Sequence, residues 1–305
     1  MSIQITDSST RMIRLGGGGI QISGPSGPRP ATFTATTTGA QTLTLNSFGV
    51  SRETVVDWGD GSSSSYTGTA LRTHAYAGAG TWTVTIADPL AVTELDVRDN
   101  KITLSSANVA TLTNVATFIA IALKAGTFNS VDVSAWRPTT FYLYSMPAGY
   151  AGTFNSVDVS AWRPTTFYLS SMPAGYAGTF NSVDVSAWRP TDFGLSSMPA
   201  GYVVTAGGGF AGWTTVSAFQ MQGNALAQAT VDAILWELYQ ATATPRTATG
   251  GTINVGGSNA APSGTFQAPA SCPVTVATPG KEVGHALLND GCAVGFNRWT
   301  TVTTS

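Results

Sequence analysis

Residues 125–150, 151–176 and 177–202 carry one 26-residue sequence three times, written AGTFNSVDVSAWRPTTFYLSSMPAGY in the middle copy. Three positions break the identity: Tyr144 stands where the middle copy has Ser170, and Asp192 and Gly194 stand where it has Thr166 and Tyr168. Repetition at this period is the signature of stacked turns, because each unit can bury its apolar face only against a neighbour.

Inside a copy, Val157 and Val159 alternate with Asp158, and Phe167 and Leu169 alternate with Tyr168. Phe154 and Phe167 lie 13 residues apart, so each turn is expected to contain two short extended segments on opposite walls. Phe, Val and Leu are expected to stack inside, with Trp136, Trp162 and Trp188 forming one ladder and Asn129, Asn155 and Asn181 another. At the spacing of neighbouring strands, about 4.8 Å, Asp132, Asp158 and Asp184 become a row of like charges. Arg137, Arg163 and Arg189 recur five residues later, so an Asp–Arg lattice is the favoured compensation, with a Ca²⁺ ladder or plain solvation as alternatives. Tyr142, Tyr168 and Gly194, followed by Tyr144, Ser170 and Ser196, face outward, where tyrosine can contact a sugar or a protein or simply cover the sheet.

Only 10% of the 305 residues are charged, against roughly 25% in an average soluble domain, and 34 are glycine. With β-branched and aromatic residues common and helical patterns scarce, the chain reads as mainly β. A net charge of −2 offers nucleic acid or an anionic membrane no basic field. No stretch reaches the ~20 apolar residues of a membrane span. The first residues lack an apolar run of signal-peptide length, Asp7 interrupting them, so synthesis in the cytoplasm without the general secretion route is expected. Cys272 and Cys292 with His285 make a poor zinc site. They could close a disulfide loop worth roughly 3 kcal/mol, or stay reduced.

Residues 1–30, with Gly16–Gly19 and the segment GPSGPRP, read as an arm whose glycine run is a hinge or a thin extended connector, the arm being either a frayed terminus or an attachment segment that docks on another protein. Residues 31–88 alternate with period two. Their VDWGDGS (Val56–Ser62) and HAYAGAGTWTVTI (His74–Ile86) resemble a PKD domain, the immunoglobulin-like β-sandwich of surface proteins. The resemblance implies a tight turn at Trp58–Gly61 and a structural role for His74. Gly59 and Gly61 suit that turn, Asp57 and Asp60 can cap its N–H groups, and Trp58 and Tyr76 suit a narrow core. Ca²⁺ at Asp57 and Asp60 is a weaker alternative.

From Leu90 onward, VTELDVRDNKIT resembles a leucine-rich-repeat strand, with Leu95 and Val97 inward and Asn100 closing the turn. Apolar strands begin at Phe118, Phe141, Phe167, Phe193, Phe219 and Ile253; the first five are spaced by 23, 26, 26 and 26 residues. Asn224–Thr242 is the one strong helical pattern, with Val231, Ile234, Leu235 and Leu238 on one face and Thr230 as N-cap. The tail beyond it, GGTINVGGSNAAPSG and then PGKEVGHALLNDGCAVGFNRWTTVT, resembles the closing cap of bacterial and phage leucine-rich-repeat proteins. The expected architecture is an immunoglobulin-like sandwich (31–88), a leucine-rich-repeat-like solenoid (89–223) and a C-terminal cap with a helix (224–305).

Catalytic constellations are scarce. The histidines are His74 and His285, the glutamates Glu53, Glu94, Glu237 and Glu282 are scattered, and Gly16–Gly19 opens no phosphate-binding helix. Asp158 beside Arg163 would stay ionised, unsuited to general-acid work. The expectation is a non-enzymatic, cofactor-free structural or recognition protein. Surface-type modules with no export signal point to a bacteriophage virion component (tail, fibre or capsid decoration), assembled in the host cytoplasm. Residues 1–30 would join it to other virion proteins, and the solenoid face would meet a host-surface glycan or protein, or sister subunits of a homo-oligomer. A bacterial adhesin at the cell surface, and then a carbohydrate-active enzyme, are the alternatives.

Overall fold

The computed structural model describes residues 13–16, 19–22, 28–205, 209–243, 250–271, 273–274, 279–288 and 299–304. The fold is mainly β, with several sheets and no closed barrel. Its longest sheet receives one strand from each turn of the repeat. Thr117–Ile121, Thr140–Tyr144, Thr166–Ser170, Asp192–Ser196 and Ala218–Gln220 lie side by side in parallel, and Thr252–Asn254 and Thr301–Thr303 continue the series. A second parallel sheet takes the other wall of each turn: Gly126–Asn129, Tyr150–Thr153, Tyr176–Asn181 and Tyr202–Thr205.

Register follows from the repeat. Phe118, Phe141, Phe167, Phe193 and Phe219 occupy one buried row, neighbouring rings stacking with centroids 5.3–5.7 Å apart. The tryptophans fill the space between the walls: Trp162 lies 5.2 Å from Phe141 and 6.0 Å from Phe154, and Trp136 and Trp188 repeat the arrangement. All three are fully buried, and Trp213 extends the series beyond Trp188. The three strands Thr140–Tyr144, Thr166–Ser170 and Asp192–Ser196 are each followed by a left-handed residue, Ser145, Ser171 and Ser197, whose N–H bonds to a carbonyl of the following turn.

Two readings of the repeat need correction. Val131 and Val157 are 60% and 56% exposed, while Val133 and Val159 are buried. Ser130–Val133 is a 3-10 turn, whose period of three parts residues that a strand would place on one face. The asparagines make no uniform ladder. Asn129 Oδ1 accepts from Thr153 of the next turn, whereas Asn155 Oδ1 accepts from Val157 N–H in its own; the Asn181 side chain lies outside the described residues. A serine clasp joins successive turns instead. Ser130 Oγ donates to Asp158 Oδ2 at 3.0 Å and accepts from Asn155 N–H; Ser106 does the same for Asp132 and Asn129 N–H. Ser130→Ala removes both bonds at a buried position, and a loss of about 1–3 kcal/mol is expected. An unchanged urea midpoint would show that the clasp stabilises nothing.

The N-terminal region is built of antiparallel strands, Ala31–Thr38 with Ala79–Ile86 and Gln41–Asp57 with Ser63–Tyr76. Phe33, Leu43, Leu45, Trp58, Tyr76, Val84 and Ile86 are buried there, as the alternation requires. Gln41–Asp57 also pairs with Val92–Val97, setting Phe48 opposite Leu95, and Leu95 in turn is beside Phe118. One sheet therefore runs through both regions. Across the junction, Leu95 and Val97 point inward as expected, but the buried residue of the next turn is Asp99, not Asn100, which is exposed. Asp99 accepts from Thr44 N–H and Lys101 N–H, anchoring that turn to Gln41–Asp57.

Ile13–Gly16 pairs antiparallel with Gly19–Ile22, setting Gly16 opposite Gly19, so the two ends of the glycine run belong to paired strands; Gly17 and Gly18 lie outside the described residues. At the other end, helix Gln228–Ala243 buries Val231, Ile234, Leu235 and Leu238. Thr230 lies inside its first turn and is not the N-cap; its N–H already bonds to Ala227 O. The C-terminal region adds strands to the long sheet, with helices Gln228–Ala243 and Gly280–Leu288 in the intervening connections. Two buried asparagines missed in the sequence secure it: Asn224 and Asn259 each donate to two backbone carbonyls, including Met221 O in both cases.

Candidate functional site

Side chains alternate across a strand, so the row flanking the buried phenylalanines faces outward. In register it reads Asp96, Ile119, Tyr142, Tyr168, Gly194 and Gln220. A row to one side carries Thr140, Thr166 and Asp192, and one to the other Ile121, Tyr144, Ser170 and Ser196. All three positions at which the copies differ therefore lie on this face and nowhere else in the turn.

Tyr142 and Tyr168 stack with centroids 4.9 Å apart and planes 11° from parallel. Tyr144 stands 6.4 Å from Tyr142 at a wide angle. Gly194 ends the tyrosine row: a Cβ there would lie 2.3 Å from Tyr168 Cδ1, so the Tyr168 ring occupies the space a third tyrosine would need. Burial lifts the Tyr142 and Tyr168 phenols above their ordinary range, and the Asp192 carboxylate pushes both the same way.

At the opposite end the row stops at Ile119, and a cleft of about 400 Å³ opens, lined by Arg98, Ile119, Ile121, Thr140, Tyr142 and Tyr144. Arg98 is held by two bonds of 2.8 Å to Asp96, whose side chain is 8% exposed. Those bonds raise the Arg98 pKa further and fix the guanidinium, which lines the same cleft as Tyr142. A polar cleft of about 510 Å³ adjoins it, sharing Arg98 and including Asn46, Asn100 and Lys101; Lys101 Nζ pairs with Asp99 at 2.6 Å. Sequence reasoning missed Arg98 and Asp96. Their signal was available in VTELDVRDN, where the positions that follow inward Leu95 and inward Val97 must face outward with the tyrosines.

The Asp–Arg lattice is not formed. Asp132 and Asp158 receive serine hydroxyls, while Arg137, Arg163 and Arg189 donate to nearby carbonyls: Ser134 and Trp136, Ser160 and Trp162, Ser186 and Trp188. Five residues separate them in sequence, but the intervening turn sends the two side chains to different partners. No described ion pair joins Asp132, Asp158 or Asp184 to those arginines, and none of these acids lines either cleft.

Asp57 and Asp60 sit in the expected tight turn, where Gly59 and Gly61 have φ of +81° and +89°. Asp57 accepts from Gly59 N–H, and Asp60 from Ser62 and the His74 ring, which stacks on Trp58 at 4.7 Å. These bonds account for the carboxylates as turn caps; among the described residues no group of three or more His, Cys, Asp or Glu could hold a metal. Chiefly the Ser62 hydroxyl, and then the His74 ring, hold Asp60 down at about 2 against an ordinary 3.8. A depressed acid stabilises the fold above its unfolded pKa and loses that contribution as pH falls through the folded value. Between pH 4 and 2, the wild type is therefore expected to lose stability more steeply than Asp60→Asn in urea titrations; parallel profiles would contradict the assignment. Cys272 and Cys292 lie outside the described residues. Among the described residues no helix is long and apolar enough to cross a membrane.

Comparison with family models, curated proteins and solved structures finds no match for this chain.

Proposed function

We propose that this chain is a non-enzymatic structural and recognition protein, a bacteriophage virion component of the tail, fibre or capsid-decorating kind. In this reading residues 31–88 are an immunoglobulin-like sandwich of the PKD type, residues 89–223 a leucine-rich-repeat-like solenoid, and residues 224–305 its cap. The capped Trp58–Gly61 turn and the Tyr76 hydroxyl bonded to Trp58 O support the first assignment. One parallel strand per turn in the long sheet supports the second. Residues 1–30 would attach the chain to other virion proteins, and the tyrosine face would meet the host surface or a sister subunit.

A single observation carries the functional reading: copies otherwise identical differ only on the outward face, at Tyr144, Asp192 and Gly194. Their interior tolerates no change without disturbing both neighbours, so variation is concentrated where a partner can meet it. The test uses particles carrying Tyr142→Ser with Tyr168→Ser. The variant chain is expected in purified particles at the wild-type level, with adsorption to host cells reduced at least tenfold. Unchanged adsorption, or absence of the chain from particles, would refute the proposal.

A further inference from the structure

The slot between Arg98 and Tyr142 has a more specific chemistry than a general contact surface. One face of the Tyr142 ring is taken by Tyr168, and Tyr142 also lines the cleft. Ile119 and Ile121 bring apolar surface, while Thr140 and Tyr144 bring hydroxyls. Across from them, Asp96 occupies Nε and one Nη2 bond of Arg98, leaving the other guanidinium N–H groups for a ligand. A volume of about 400 Å³ lies within the range of small-ligand pockets.

Charge selects among ligands. Both cations at the paired clefts already have partners, Arg98 with Asp96 and Lys101 with Asp99. With two charges of each sign, the site has no net charge to favour an anion. Peptide backbone is also poorly served, because the strands beneath are hydrogen-bonded to neighbours on both sides and offer no free ladder. The ligand that fits is a flat ring with an apolar face and a rim of uncharged hydroxyls.

We infer that this slot binds a neutral glycan, one pyranose ring lying against Tyr142 with its hydroxyls toward Arg98 and the polar cleft beyond it. The inference rests on the recognition reading above and names its ligand class. Tyr144 is present in only one copy, and Arg98, Ile119 and Ile121 lie outside the repeat, so the site occurs once although the turn occurs three times.

Calorimetric titration of the whole chain with hexasaccharides of glucose, mannose, galactose and N-acetylglucosamine, and with polygalacturonate as the acidic comparison, tests it. At least one neutral hexasaccharide is expected to bind, with affinity unchanged between ~50 and ~500 mM NaCl because no ion pair forms. Tyr142→Ala and Arg98→Ala should each weaken binding at least tenfold, the size of a central contact, while Tyr142→Phe, which keeps the ring, stays within a few-fold. Circular dichroism and cooperative unfolding check that each variant is folded. Binding of polygalacturonate alone, or no binding by any neutral hexasaccharide at ~10 mM, would overturn the inference, as would full affinity in folded Tyr142→Ala. If particles with the tyrosine substitutions lose adsorption while no glycan binds, the recognition reading stands and the glycan does not.

Discussion

Gly152→Ala is expected to unfold the centre of the repeat. Gly152 has a φ of +135°, and a Cβ there would lie 2.1 Å from the carbonyl oxygen of Phe128 in the preceding turn. That oxygen belongs to the backbone of Gly126–Asn129, which is paired in register with the strand that carries Gly152, so it cannot move aside as a flexible side chain would. Gly126 meets Leu104 O and Gly178 meets Phe154 O in the same way, so this is a property of the stack rather than of one loop. Backbone strain of this kind costs about 1–3 kcal/mol, and forcing apart packed turns adds about the same again. The expected result is a loss of at least ~3 kcal/mol in urea unfolding, or failure to fold. A loss below ~1 kcal/mol would mean that the two turns are not in that contact. Gly149→Ala is the control, since a Cβ there meets nothing within 4 Å.

Trp162→Ala is the second large effect. The indole is fully buried and touches phenylalanines from both walls of the stack, so its removal leaves a cavity that rigid neighbours cannot fill. A loss of about 3–5 kcal/mol is expected. No hydrogen bond to Trp162 Nε1 is present, so Trp162→Phe should recover a large part of the loss. Equal losses in the two variants would show that ring packing is not what holds the turn.

The stacking was legible because it is written three times. A phenylalanine every 26 residues can share a row only if the strands are parallel and in register, and Phe118 to Phe219 occupy that row. The same repetition misled where the local backbone was not extended. Val157 alternates with Val159 in sequence, yet the turn between the walls places Val157 outside. Asp158 and Arg163 are close in sequence, but the nearest partner for the carboxylate is a serine 28 residues earlier, across the boundary between turns. No local spacing encodes that contact. Arg98 was passed over for another reason: it occurs once, outside the repeat, and acquires meaning only when Val92–Val97 is placed beside Thr117–Ile121. The capped turn at Asp57–Ser62 was legible in full, since its contacts close within a few residues, apart from His74.

Deleting residues 151–176 tests the stacked-turn account most directly. Tyr150 then joins Ala177, which begins the same Ala-Gly-Thr-Phe sequence as Ala151, so every strand meets an equivalent neighbour one turn shorter. The expected product is a folded β protein that unfolds in one cooperative urea transition, with lower stability and an m-value reduced roughly in proportion to the surface removed. A shortened chain that unfolds gradually, or that loses its β spectrum, would contradict the account.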